Sequence, residues 1–292
     1  MEVALQLAPA TVAGILYALR AHHLAGTSRA VPGWRRACFL GGLCLIVIAF
    51  TSLGSLADEL FWAHMVEHLV IGDLGTLLLV LGLTGPVLAP VLRIGFFDRL
   101  RVLAHPLVAF PLWALNLYLW HVPYLHEGAV HHPAVHALQH FGFVAFGFNM
   151  WMALLGPLPK PAWFGNLARL VYIIAVRMTG AILGNVFVFG GHVFFGVYAA
   201  GERAHGISPG ADQNTAGAIM MVEGSILTLL LFGWLFARTA REGEERQELL
   251  ELAAARGVEL TEARAARAVA AGRGAELRRR IESGSSPTGS PT

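Results

Sequence analysis

The sequence predicts an all-α polytopic membrane protein: a bundle of seven transmembrane helices with its N-terminus outside, its C-terminus in the cytoplasm, and a charged, partly helical tail. Three observations carry that prediction. Only 14% of the residues are charged against 55% hydrophobic, with a mean hydropathy of +0.59, whereas a soluble domain carries about a quarter charged residues. The charge is also uneven, because residues 239–292 hold 9 Arg and 9 Glu out of 21 Lys+Arg and 19 Asp+Glu in the whole chain. Finally, apolar stretches of about 20 residues, the length needed to cross the hydrocarbon core, recur along residues 1–238. A net charge of +2 offers no broad basic surface for nucleic acid.

The expected spans are 5–24, 34–53, 62–87, 106–125, 135–155, 167–189 and 216–237. The first is read as a retained span and not as a cleaved signal, since Met1-Glu2 has no basic segment and no clear small-residue cleavage site follows. Orientation follows from the cations. Arg20, Arg29, Arg35 and Arg36 join spans one and two; Arg93, Arg99 and Arg101 join three and four; Lys160 and Arg169 join five and six; and Arg238 opens the tail. The opposite connections hold Asp58, Glu59, Glu127, Glu202 and Asp212, with Arg203 their only cation. The chain therefore divides into a membrane domain, 1–238, and a cytoplasmic tail, 239–292. In the tail, helix is expected over 244–256 and 261–271, interrupted by Gly257, Gly272 and Gly274, and the Ser/Pro/Gly-rich 283–292 is expected to be disordered. Cys38 and Cys44, six apart in an apolar stretch, give neither a disulfide framework nor a zinc spacing.

With sidedness set, the histidines become informative. Of 13, only His22, His23 and His105 fall on the cytoplasmic side. The rest lie in outer loops or outer helical turns. His64 and His68 stand i,i+4 at the outer start of span three, and His136 and His140 repeat the spacing at the start of span five, so each pair shares a helix face. His121 closes span four and His192 follows span six; the loop histidines His126, His131 and His132 are weaker candidates. Imidazole binds copper, zinc, iron and nickel, and thioether sulfur favours Cu(I). Met65 and Glu67 flank the first pair, and Met220 and Met221 sit in the outer third of span seven, so copper is expected in preference to zinc. Ionisable groups in a span face the bundle interior and mark function or fix packing. Asp73, Arg177 and Glu223 are those groups, with an Asp73–Arg177 or Glu223–Arg177 pair expected.

Four segments in order carry a resemblance: His-Met-Val-Glu-His (64–68), Leu-Trp-His-Val-Pro (119–123), His-Pro-Ala-Val-His-Ala-Leu-Gln-His (132–140) and Asp-Gln-x-x-Ala-Gly-x-Ile-Met (212–220). Over residues 34–237 the chain resembles the seven-span CtaG-type cytochrome c oxidase assembly factors associated with caa-type oxidases. The resemblance implies a multi-pass protein of the bacterial plasma membrane that matures a haem-copper oxidase by supporting copper delivery to its outward-facing binuclear site. Its implied partners are a terminal oxidase subunit or a copper chaperone on the outer side. Carried over by position, His64, His68, His121, His132, His136 and His140 match family histidines, Met65 and Met220 its methionines, and Asp212 its aspartate. The chain departs from the pattern at Glu67, where the family more usually has Gln, and at Met221-Val222-Glu223, where it has aromatic-Val-Pro.

Two other classes compete on the residues. A haem-binding electron carrier would use His68 and His140 as axial ligands, and a proton or ion transporter would use Asp73, Glu223 and the histidines as a relay. A retinal protein is excluded because Lys160, the only lysine, lies in a loop. No nucleophile elbow, phosphate loop or H-E-x-x-H motif points to an enzyme.

Overall fold

The computed structural model describes residues 2–283, with side chains from Ala8 onward. Among the described residues the secondary structure is helical and no strand occurs. Four helices are long and apolar enough to cross a membrane by length and composition: Gly33–Ala57, Phe61–Gly82, Asn166–Phe189 and Pro209–Ala255. A fifth span results if Gly95–Ala104 and Pro106–Trp120, bent by 78° at their junction, count together. Helices also occupy the two other expected stretches, as Glu2–Leu24 and Pro133–Leu154. The second of these is made less apolar by His136, Gln139, His140 and Asn149.

Several boundaries differ from the hydropathy reading. The stretch 106–125 stops being one helix at Trp120, because Pro123 forces the preceding Val122 into an extended conformation and opens a new helix, Pro123–His131. The stretch 62–87 breaks after Gly82, where Leu83 and Thr84 are extended before the Gly85–Leu92 helix. Apolarity alone does not reveal that break; the capping does. Arg35 donates to the Leu81 and Leu83 carbonyls at 2.9 and 2.8 Å, Tyr17 to Gly82 at 3.1 Å, and Arg20 to Pro86 at 3.0 Å. The carbonyls a helix end leaves without partners are thus taken up by side chains from the first two helices.

The chain forms two compact units. The first runs to Pro161 and takes in Tyr172–Ile226; the second takes in Ala162–Val171 and the described chain from Leu227 onward. In the first, Gly33–Ile48 packs along Thr76–Gly82, and Pro133–Leu154 packs along both Pro106–Trp120 and Val70–Gly75. Gly147 is the point of closest approach, since a Cβ there would collide with the Gly72 carbonyl. Small residues that let two backbones touch are the usual means of helix association in lipid. Here the contact sets two helices side by side within about two turns of His68 and His140.

In the second unit, Glu262–Ala270 and Gly274–Glu282 fold against the end of Pro209–Ala255. Leu249, Ala253, Val269, Leu277 and Ile281 form its core. Gly257 (φ 64°) and Gly272 (φ 68°) adopt the left-handed conformation that ends a helix and that a Cβ disfavours. Gly274, expected as an interruption, instead opens the last helix against the Glu245 side chain. Of the expected disordered end, 284–292 lies outside the described residues.

Candidate metal centre

Phe61–Gly82 begins with an unusual cap. Asp212, from a helix far along the chain, accepts from the Phe61 and Trp62 amides at 2.8 Å each. A carboxylate on free N–H groups at a positive helix end is a favourable placement. The adjacent Gln213 donates to the Phe187 and His192 carbonyls at 3.1 and 3.0 Å and accepts from the Phe194 amide at 2.8 Å. The Asp-Gln motif therefore fixes where the histidine helix starts and how the loop 190–195 folds. It does not bring a carboxylate among the imidazoles.

From that start, His64 and His68 turn inward with 0% and 5% exposure, and His140 faces them at 3%. The rings of His64 and His68 are 4.3 Å apart, those of His136 and His140 4.1 Å, those of His64 and His136 5.4 Å, and those of His68 and His140 5.6 Å. One ligand atom each from His64, His68 and His136 falls within a 4.8 Å group, and Glu67, His136 and His140 form a second such group. Both ring nitrogens of His68 and of His140 have no hydrogen-bond partner among the described residues, and neither do those of His64, which the Ala57 carbonyl approaches without hydrogen-bond geometry. Buried polar atoms are normally paired, and imidazole nitrogens left without partners and gathered this closely are a set that could hold a metal ion. Glu67, 1% exposed, lies 3.7 Å from His140 Nε2 and adds an anionic oxygen.

The other candidates separate. Met65 and Met220 are buried, with Met65 Sδ 3.3 Å from His121 Nε2. His132 is exposed at the start of Pro133–Leu154 and joins neither group. His126, a weak candidate on sequence, is fully buried 4.8 Å from His64, with Nε2 2.8 Å from the Tyr198 hydroxyl. Its position follows from Pro123, which folds the short helix back over the site. Burial pushes its imidazole down to about 3, with further help from the neighbouring His121. The Tyr198 hydroxyl is pushed well above its ordinary value, first by burial and then by the carboxylates of Asp212, Asp58 and Glu67. The pair thus stays neutral, packed against the Phe61 and Phe195 rings. Gln139 is also fully buried, its amide without a hydrogen-bond partner among the described residues; the i,i+4 spacing of the histidines around it gives no signal of that.

Below the imidazoles the same helix widens into a π-helical segment, Val70–Gly75. Wide turns of this kind recur at functional sites. Thr76 Oγ1 donates to the Gly72 carbonyl at 2.7 Å, and Trp151 Nε1 donates to the Asp73 carbonyl at 3.0 Å. The turn presents Asp73 inward, where Arg177 Nη1 reaches its Oδ2 at 2.9 Å and Glu223 Oε2 at 3.8 Å. Both expected pairings thus meet on one guanidinium, whose carbon also lies 5.4 Å from the Trp151 ring.

Comparison with known proteins adds one finding. The family model described as cytochrome c oxidase caa3 assembly factor (Caa3_CtaG) matches residues 15–242. No curated protein and no solved structure matches the chain.

Proposed function

This chain belongs to the cytochrome c oxidase caa3 assembly factor family, and from that premise we propose that it carries copper as cargo for a haem-copper oxidase, using the buried imidazole cluster. The reading includes seven spans with the N-terminus outside, a bacterial plasma-membrane location, and a division into a membrane domain 1–238 and cytoplasmic tail 239–292. The cluster then lies at the outer end of the bundle, on the side of the oxidase's outward-facing binuclear site. An oxidase subunit or a copper chaperone meets it there.

One observation supports this above the rest: ligand atoms of His64, His68 and His136 gather within 4.8 Å while buried and unpaired by protein groups. Imidazole is a ligand suited to copper. His140 and Glu67 extend the set, the Glu67 carboxylate lying 3.7 Å from His140 Nε2. Nitrogen ligands must be deprotonated to bind, so the loaded state weakens as pH falls. The His68–His140 pair meets edge to face at 5.6 Å with Phe143 stacked on His68 at 4.2 Å. That arrangement leaves no slot between the two rings for a porphyrin.

The test is elemental analysis and an absorption spectrum of the detergent-purified protein, with oxidase maturation measured in cells. His64→Ala and His68→Ala are each expected to abolish copper retention by the cluster and, with it, oxidase maturation. Full oxidase activity in both variants rejects the proposal.

A further inference from the structure

Beneath the imidazole cluster is a separate chamber of about 50 Å³, walled by Leu69, Trp113, Leu117 and Phe143. A water needs ~10–15 Å³ by this kind of measure, so the chamber has room for an ion with a few waters and for nothing much larger. Its lone-pair-bearing side chains are Met65, Met220, His68, His121 and Asp73. We propose that this chamber is a second copper seat, selective for Cu(I), with Met65, Met220 and His121 as its ligands and His68 as the wall it shares with the cluster above. The proposal rests on the copper reading and adds to it a division by ligand chemistry.

Three features of the chamber support it. The Nδ1 atom of His121 lies 2.6 Å from the Leu117 carbonyl. A carbonyl only accepts, so Nδ1 carries the proton, and in the neutral imidazole Nε2 then holds a bare lone pair. That lone pair faces the Met65 sulfur at 3.3 Å, and sulfur is itself an acceptor. Two acceptors turned toward each other are reconciled by a cation between them. The donor set is the second feature. Two thioethers and one or two imidazoles form a soft site suited to Cu(I), whereas the cluster above offers imidazoles and a carboxylate and no sulfur.

Charge is the third. Asp73 and Glu223 share the single cation Arg177. Asp73 Oδ2 is taken by Arg177, while its Oδ1 has no hydrogen-bond partner among the described residues, and Asp73 is part of the chamber wall. That carboxylate oxygen gives the wall an anionic group that favours a cation, and the soft donor set favours Cu(I) among cations.

The experiment is an anaerobic titration of the full-length purified protein with Cu(I) against a competing colorimetric chelator. Ag(I) serves as a redox-inert surrogate for Cu(I), and Co(II) as a probe of the upper cluster. Met65→Leu/Met220→Leu is expected to weaken Cu(I) and Ag(I) binding at least tenfold and leave Co(II) binding intact. His136→Ala/His140→Ala is expected to do the reverse. Copper-edge X-ray absorption of the Cu(I)-loaded protein is expected to show sulfur neighbours that the double methionine variant lacks. No sulfur in the wild-type spectrum, unchanged Cu(I) binding in the methionine variant, or parallel loss of Cu(I) and Co(II) in either variant overturns the two-seat arrangement. Failure here is separable from failure of the copper-carrier reading. If the methionine variant loses Cu(I) while His64→Ala and His68→Ala leave the oxidase fully active, the seat stands and the carrier role falls; if maturation needs the histidines but the methionines bind nothing, the seat falls alone.

Discussion

The histidine end of the first unit and the helical tail of the second treat polar groups in opposite ways. In the tail, charges sit at the surface and pair locally: Arg238 with Glu242 at 2.6 Å, Arg280 with Glu276 at 2.6 Å, and Arg278 with Glu248. Asn166 joins the first pair, donating to Glu242 at 2.8 Å. A small apolar core lies beneath. Around the imidazoles the order is inverted, with polar atoms inside and unpaired, and large apolar side chains such as Leu138 and Phe141 outside at 59% and 69% exposure. Unsatisfied buried groups cost stability, so the histidine end carries a cost that the tail does not. A substitution should therefore separate the two: polar changes matter most in the first region, apolar ones in the second.

The largest effect is expected at Arg177. Arg177→Met leaves Asp73 and Glu223 without their shared cation inside the bundle, and removing one partner of a buried pair costs about 3–5 kcal/mol. Thermal unfolding in detergent reads this, and restoring stability with Asp73→Asn/Glu223→Gln in the same chain confirms its electrostatic origin. Next comes the tail core. Leu249→Ala removes a fully buried side chain, at a cost of about 2–5 kcal/mol, seen as protease cleavage after Leu227 with Co(II) binding unchanged. If cleavage does not increase, the tail is not held by that core.

A smaller, pH-dependent effect comes from His126. Its folded-state value of about 3 lies below that of the free imidazole, so the unfolded chain takes up a proton first as pH falls. Stability is full above pH ~6.5 and declines toward pH 3 by roughly 1.4 kcal/mol per unit for this one group. His126→Asn is expected to flatten that slope between pH 7 and 5. The smallest effect is at the tail surface: Arg278→Ala breaks an exposed pair and should change unfolding by less than about 1 kcal/mol. A large effect there would mean that surface pairs, and not the apolar core, hold the tail.

Much of this contrast is legible in the sequence because hydropathy and charge segregate along the chain. The i,i+4 spacing of His64/His68 and His136/His140 is local and sufficient to place each pair on one face. What escapes is non-local. Asp212 reads as a ligand when its neighbours are unknown, yet its partners are amides 150 residues earlier in the chain. His126 reads as a loop residue because nothing in its own segment says that Pro123 turns the chain back over the site. The tail helix that begins at Gly274 was hidden by a rule that holds for Gly257 and Gly272, since glycine starts as well as stops helices where a neighbour crowds close.

The Val70–Gly75 wide turn has a consequence for register. Each residue of a regular helix advances its face by about 100°, and an inserted residue rotates everything above it relative to everything below. The nine residues before the turn and the seven after are therefore keyed to different neighbours: the earlier stretch meets the histidines of Pro133–Leu154, and the later one packs chiefly along the Gly33–Ile48 helix. Deleting a single residue such as Ile71 would leave composition and length nearly untouched while swinging His64 and His68 off their counterparts. The chain's tolerance to indels should thus be lowest where its hydropathy profile is least remarkable to the eye, and one codon there outweighs any side chain nearby.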